Sequence, residues 1–265
     1  MTPPSKITPS RPIGVFDSGV GGLTVLKALR RKLPGRDFLY FADTARVPYG
    51  RKPPEMVQAF AAGITNFLLQ HDVAAVVVAC NTASAAALPQ LADSSPVPVW
   101  GVIEPGVEAA RRVTRTGRVG VIGTPGAIRS GAYQKRLEAL GLEVWAQPCP
   151  LLVSVVEEGL SQSYEAELLA RHYLSARPPI DTLILGCTHY PVLADVIQRV
   201  LGDGVTLVES AQVTAEVVAA ALPSNGSVPG HIRHYVTGDL LAYQHTAQVI
   251  GGVDGEMQWL DVTRL

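Results

Sequence analysis

The stretch VAAVVVACNTASAAALPQL, residues 73–91, has the composition of a strand that leads directly into a helix. A run of small and β-branched apolar residues comes first, and an alanine-rich segment follows Cys80, Asn81 and Thr82. Hydrophobicity that is continuous rather than alternating is typical of a strand covered on both faces, as in parallel sheets. We therefore predict an α/β fold in which these polar residues lie at the carboxyl end of a buried strand.

A second stretch, IDTLILGCTHYPVLADV at 180–196, has the same form, with Thr188 and His189 directly after Cys187. Ligands of open α/β sheets bind at the carboxyl ends of the strands, so both cysteines are candidate site residues. A single cysteine in such a place is more often a small buried filler. The third cysteine, Cys149 in AQPCPLL, has no comparable setting, and we assign it to packing.

Other β-branched runs alternate with helical patterns, such as the leucines at positions 23, 26, 29 and 33 before Pro34-Gly35. This alternation predicts the doubly wound α/β class. The predicted strands are Ile13–Phe16, Phe38–Ala42, Val73–Ala79, Val97–Ile103, Arg118–Gly123, Leu142–Ala146, Ile180–Leu185 and Val205–Val208.

The chain contains a weak internal repeat. Strands of α/β proteins resemble one another, but a constant shift that includes a rare residue type favours duplication. The landmarks are IGVFDS at 13–18 with VGVIGT at 119–124 (119 − 13 = 106), Cys80 with Cys187 (187 − 80 = 107) and Glu104 with Glu209 (209 − 104 = 105). We predict two similar α/β domains related by a pseudo-two-fold axis, with the active site in the cleft between them.

The predicted boundaries follow from the repeat. The first domain comprises residues 12–100 together with the tail 213–265, which packs back on it, and the second comprises residues 101–212. Two such halves facing each other would bring both strand-end cysteines to one cleft.

The turn FDSGVGGLTVL at 16–26 has glycines after the first strand, which is the usual sign of a phosphate cradle. Its spacing is G-x-G-G rather than G-x-G-x-x-G, and Asp17 would repel phosphate. An acid at this strand end suits a general-base helper or an ammonium partner better. The tripeptide PYG at 48–50 could present backbone N–H groups to a carboxylate. His189 could hold a proton, whereas the pattern around Glu157 is that of an ordinary surface acid.

Composition excludes several classes of protein. The 265 residues carry a formal net charge of −1, which gives no footprint for nucleic acid or a membrane surface. Three cysteines do not make a disulfide framework, and their odd number indicates a reducing compartment. A C-x-H pair without C-x-x-C partners is weak zinc spacing, so we expect no metal. The opening MTPPSKITPSRP lacks the apolar core of a secretory signal, which predicts a disordered lead-in and a cytoplasmic protein.

Several motifs together resemble the glutamate racemases of the cofactor-independent aspartate/glutamate racemase family. The resemblance extends from about Pro12 to about Gly251, and its cysteine motifs are specific as a pair. The motifs are VFDSGVGGLTVL, YFADTARVPYG, VVVACNTASAAAL, VIGTPGAIRSGAY and LILGCTHYPVL.

The resemblance implies two-base proton transfer at Cα of free glutamate without pyridoxal phosphate, in a homodimer that supplies D-glutamate for peptidoglycan. Cys80 would deprotonate D-glutamate and Cys187 L-glutamate, assisted by Asp17, His189 and Glu157. The substrate-binding positions it implies are Asp17, Ser18, Tyr49, Gly50, Asn81, Thr82, Thr188 and His189.

Three alternatives remain open at this point. Aspartate racemase is the nearest, although the CNTAS and CTHYP contexts favour glutamate. A two-lobed small-molecule binding protein also has duplicated α/β domains, but it needs no paired thiols. A nucleotide-binding regulator built around SGVGG would bind phosphate and would be insensitive to thiol alkylation.

Overall fold

The chain forms two parallel β-sheets flanked by helices. The computed structural model describes residues 11–222, 229–252 and 254–265, so most of the predicted lead-in lies outside the described residues. The first sheet has the strand order β10-β9-β2-β1-β3-β4 and the second β6-β5-β7-β8. The strands are β1 (Ile13–Asp17), β2 (Phe38–Ala42), β3 (Ala75–Val78), β4 (Val99–Gly101), β5 (Arg118–Gly123), β6 (Glu143–Pro148), β7 (Thr182–Gly186), β8 (Thr206–Glu209), β9 (Ile232–Val236) and β10 (Glu256–Trp259).

The helices lie between the strands in the order expected of a doubly wound fold. Short 3₁₀ turns occur at Thr44–Arg46, Tyr49–Arg51, Tyr190–Leu193 and Val262–Arg264. The α-helices are α1 (Leu23–Lys32), α2 (Pro54–Gln70), α3 (Asn81–Ser94), α4 (Ile103–Val113), α5 (Pro125–Arg129), α6 (Ala132–Ala139), α7 (Leu151–Glu157), α8 (Tyr164–Leu174), α9 (Ala194–Leu201), α10 (Ser210–Ala221) and α11 (Leu240–Val249).

The internal repeat has a structural counterpart in the strand order. In the first sheet β1 lies between β2 and β3, and in the second sheet β5 lies between β6 and β7 in the same way. Ile13 of β1 is opposite Ala75 of β3, and Val119 of β5 is opposite Thr182 of β7, which are shifts of 106 and 107 residues. The predicted class of two similar, parallel α/β units is therefore confirmed.

The tail contributes two strands that the sequence did not reveal. β9 and β10 extend the first sheet beyond β2. Polar side chains interrupt both strands, IRHYV and EMQW, although only the edge strand β10 is mostly exposed. Helix α10 spans the predicted boundary at 212/213 and packs against both α1 and α4, so the domain boundaries stay a prediction.

Asp181, at the start of β7, ties the end of α4 to the second sheet. Its carboxylate accepts hydrogen bonds from the hydroxyl of Thr114 at 2.7 Å and that of Thr182 at 2.9 Å. It also accepts from the backbone N–H groups of Arg115 at 2.7 Å and Thr116 at 2.5 Å. Burial alone would raise the pKa of Asp181, but these hydrogen bonds outweigh burial and hold it well below its usual value.

We expect Asp181→Asn to lower the free energy of unfolding by about 1–3 kcal/mol at pH 7, because one carboxylate oxygen loses its acceptor role. A carboxylate whose pKa is lowered by folding stabilises the folded state at pH values above its unfolded pKa of about 3.9. This stabilisation is lost as the pH falls through the folded-state pKa of Asp181. The difference in the free energy of unfolding between wild type and variant should thus be constant from pH 5 to 8 and decrease in stronger acid. Urea unfolding measures it, with the exposed Asp203→Asn as control. Equal stability of Asp181→Asn and wild type at pH 7 would contradict this role.

Candidate active site

A cavity of about 290 Å³ lies where the carboxyl ends of the two sheets meet, and residues of both sheets line it. Its volume suits a small molecule of amino-acid size. Asp17 lies beneath it and is fully buried. The other predicted site residues line the cavity, namely Ser18, Tyr49, Gly50, Cys80, Asn81, Thr82, Glu157, Cys187, Thr188 and His189.

Cys80 follows β3 and is the N-cap residue of α3. The sulfur is almost buried and lies 3.7 Å from the hydroxyl oxygen of Ser18. Burial, followed by the nearby charge of Asp17, raises the pKa of the Cys80 thiol to about 12. The N-terminus of a helix ordinarily favours the thiolate form of a cysteine at this place. At this position burial and the carboxylate outweigh the helix dipole, so Cys80 is a thiol at neutral pH.

Asp17 ends β1, directly before Ser18, which lines the cavity. Its Oδ2 accepts a hydrogen bond from the backbone N–H of Gly19 at 3.0 Å, whereas Oδ1 has no hydrogen-bond partner among the described residues. Burial raises the pKa of Asp17, and the positive charge of His189 opposes this effect. A buried carboxylate with an unused oxygen is suited to accept an N–H donor from a ligand.

Cys187 has a different chemical setting from Cys80. Its sulfur lies 3.7 Å from Nδ1 of His189, and Nε2 of the same imidazole lies 2.9 Å from Oε1 of Glu157. Burial opposes the charged imidazole, but its interactions with Cys187 and Glu157 prevail and raise the pKa of His189 above its usual range. An imidazolium donates from both nitrogens, so Nδ1 can donate a hydrogen bond to the Cys187 sulfur while Nε2 donates to Glu157.

The segment after Cys187 differs from the prediction. A helix was expected directly after each cysteine, but a 3₁₀ turn at Tyr190–Leu193 separates Cys187 from α9. The helix dipole therefore acts on Cys80 and not on Cys187. At Cys187 the neighbouring His189 supplies the positive charge instead.

The glycine turn of the first sheet packs against the cysteine motif of the second. A Cβ atom on Gly21 would overlap Oγ1 of Thr188 and lie 2.5 Å from Nδ1 of His189. The hydroxyl of Thr24 donates a hydrogen bond to the carbonyl oxygen of Thr188 at 3.0 Å. The glycine at 21 is thus required for close approach of the two halves, which accounts for SGVGG without a phosphate.

Two further contacts shape the wall of the cavity. The Tyr49 hydroxyl donates to buried Asp43, which holds the 3₁₀ turn containing Gly50 in place. The hydroxyl oxygens of Thr82 and Thr124 lie 2.8 Å apart and join the two halves. Thr124 lines the cavity and was missed in the sequence, although the shift of 106 residues pairs it with Ser18.

Two negative observations complete the description of the site. Within residues 11–222, 229–252 and 254–265, no group of three or more His, Cys, Asp or Glu side chains is placed to hold a metal ion. No helix in the described part of the chain is long and apolar enough to cross a membrane.

The family model described as Asp/Glu/Hydantoin racemase matches residues 13–218, most of the chain. The chain belongs to this family. The resemblance seen in the motifs is confirmed, and the protein is a racemase, an enzyme of the isomerase class.

Relatives of this racemase are similar along almost their whole length. A glutamate racemase of Thermus thermophilus is 54% identical over 248 residues, which cover 92% of this chain and 93% of the relative. A crystal structure of the Thermus thermophilus enzyme with β-chloro-D-alanine has a TM-score of 0.91 at 52% identity, covering 97% and 99% of the two chains. The Francisella tularensis enzyme with D-glutamate has a TM-score of 0.88 at 36% identity, covering 96% and 98%.

Proposed function

We propose that the racemase interconverts L- and D-glutamate by proton transfer at Cα between Cys80 and Cys187. The observation that carries this proposal is that two thiols from corresponding strand ends line one cavity of amino-acid size. Mirror-image substrates need a base on each face of Cα, and a duplicated fold supplies one from each half. The names of the relatives support glutamate as the substrate.

The unlike settings of the two thiols assign their starting roles. Cys187, beside the His189 imidazolium, is the thiolate that takes the α-proton of L-glutamate. Cys80, whose pKa is raised to about 12, is the thiol that delivers a proton to the opposite face and completes D-glutamate. In the reverse direction the product state, with Cys80 as thiolate and Cys187 as thiol, is the starting state.

The remaining residues of the site bind the substrate. Oδ1 of Asp17 accepts from the substrate ammonium group. Hydroxyl, amide and backbone donors bind the two carboxylates of the substrate. Donors held in fixed positions in a cavity that excludes water stabilise the negative charge that develops when Cα is deprotonated. These donors are the side chains of Ser18, Asn81, Thr82 and Thr188 and the backbone N–H groups of Tyr49, Gly50 and His189.

The proposed cellular role is supply of D-glutamate for peptidoglycan in the cytoplasm, without a cofactor and as a homodimer. Analytical sedimentation of the purified protein measures its oligomeric state. A monomer at micromolar concentration would contradict it.

The function is tested with each glutamate enantiomer in deuterated water, by following circular dichroism and deuterium at Cα. We expect both enantiomers to reach the racemate with one deuterium incorporated per inversion, and no change in rate after dialysis against a chelator. No exchange with glutamate would contradict the proposal. Faster racemisation of aspartate than of glutamate would favour the aspartate alternative, and binding without exchange would favour the binding protein.

We expect Glu157→Gln to lower kcat/KM by about tenfold or more, because a hydrogen bond to a charged group stabilises by about 1.5–3 kcal/mol. Glu157 helps to raise the pKa of His189, so His189 loses its proton at lower pH in the variant. The alkaline limb of the pH profile of kcat/KM should therefore move to lower pH.

The neighbouring Glu158→Gln is the matched control, because Glu158 is exposed and does not line the cavity. Its kinetics should equal those of wild type. An alkaline limb at the same pH in Glu157→Gln and wild type would show that Glu157 does not support the charge on His189.

A further inference from the structure

Tyr133 lies behind the cavity and connects the two halves. It belongs to α6, on the second sheet, and is fully buried. Its hydroxyl donates a hydrogen bond to Oδ1 of Asn81 at 2.7 Å and lies 3.3 Å from the hydroxyl oxygen of Ser210. Asn81 directly follows Cys80 and lines the cavity.

The ring of Tyr133 contacts the other cysteine-bearing strand end. A Cβ atom on Gly186, the residue before Cys187, would lie 3.3 Å from Cε2 of Tyr133. Burial raises the pKa of the Tyr133 hydroxyl, so it remains a hydrogen-bond donor throughout the neutral range. One side chain therefore touches residues next to both cysteines.

The hydrogen bond decides which end of the Asn81 carboxamide faces the cavity. A carboxamide has an acceptor oxygen on one side and a donor NH₂ group on the other. Because Tyr133 engages Oδ1 behind the cavity, Nδ2 is left as the group available to a ligand. Without the hydroxyl the amide can rotate by half a turn, which would present an oxygen to a substrate carboxylate.

We propose that Tyr133 is a positioning residue that orients the carboxamide of Asn81, so that Nδ2 donates to a carboxylate of the substrate. This inference rests on the proposed racemisation of glutamate. It means that a residue of the second half orients a substrate-binding residue of the first half.

The test is Tyr133→Phe, which keeps the ring and removes only the hydroxyl. We expect kcat/KM for glutamate to fall about ten- to a hundredfold, because a buried polar group loses its partner and a substrate donor is misplaced. The matched control is Tyr243→Phe, which removes another buried hydroxyl, 2.9 Å from Nδ1 of His234. The control should stay within about twofold of wild type.

A double-mutant cycle with Asn81→Ala separates positioning from a general structural effect. If Tyr133 acts through Asn81, then Tyr133→Phe should change kcat/KM by less than about twofold in the Asn81→Ala background. Equal effects in both backgrounds, or a Tyr133→Phe variant with wild-type kinetics, would overturn the inference while glutamate racemisation by the wild type stands. A wild type that does not racemise glutamate would instead overturn the proposed function, and this inference with it.

Discussion

Replacing either Cys80 or Cys187 by serine is expected to lower kcat for racemisation by about a thousandfold or more, since each positioned acid or base contributes about 10²–10⁴. Each turnover uses both sulfurs, one to remove a proton and one to deliver it. A serine hydroxyl is a far weaker acid than a thiol, and the described neighbours of position 80 include no group that would deprotonate a serine placed there. One substitution therefore stops inversion in both directions.

The single variants should differ in which substrate still exchanges its α-proton with solvent. Cys80→Ser retains the base on the Cys187 side and should exchange deuterium into L-glutamate without inverting it. Cys187→Ser should do so with D-glutamate. Deuterium content at Cα of each enantiomer, measured beside circular dichroism, reports both outcomes.

Cys149→Ser is the control for the loss of a thiol. Cys149 is fully buried, its sulfur lies 3.5 Å from the carbonyl oxygen of Gln147, and it does not line the cavity. Its variant should retain kcat within a few fold of wild type. Racemisation at wild-type rate by either Cys80→Ser or Cys187→Ser would show that two-thiol proton transfer is wrong.

Gly21→Ala is expected to lower kcat/KM by roughly a hundredfold, although the glycine contributes no functional group. The added methyl group would occupy the space of Oγ1 of Thr188 and approach Nδ1 of His189, so the segment after Cys187 must move. Overpacking of this kind costs about 1–3 kcal/mol of stability as well. The loss of activity is expected because an ångström of displacement at a reacting group costs about a hundredfold in rate.

Gly204→Ala is the matched control, because a Cβ atom there would meet nothing within 4 Å. Steady-state kinetics and thermal unfolding of the two alanine variants compare the crowded and the open position. Wild-type kinetics for Gly21→Ala would mean that the two halves do not approach each other as closely as the structure places them.

Much of the site could be predicted from the sequence, because its residues lie at strand ends and the two halves repeat them at a nearly constant sequence shift. Cys80 and Cys187 could be paired in this way before any fold was known. The same shift relates Ser18 to Thr124, but a threonine is too common to attract attention without its neighbours. Glu157 was predicted only from the family resemblance, since nothing in its local pattern shows that it lies 2.9 Å from His189.

The parts that the sequence did not reveal depend on how the two halves meet. The contact of Gly21 with His189 and the bond from Tyr133 to Asn81 join residues that are distant in the chain. The raised pKa of Cys80 likewise depends on burial and on Asp17, which together outweigh a local helix effect. Local patterns predict strands and their ends, whereas side-chain chemistry is decided by packing across the cleft.

The chemical difference between the two cysteines has a consequence for kinetics. Asp17 lies close enough to Cys80 to affect its pKa. The residue that the repeat pairs with Asp17 in the second half is Gly123, which has no side chain that could act on Cys187 in the same way. Enantiomers have equal free energies in water, so the equilibrium constant is one and the Haldane relation requires equal kcat/KM in the two directions. The unlike environments can therefore appear only as compensating differences in kcat and KM, and as different primary isotope effects for L- and D-substrate.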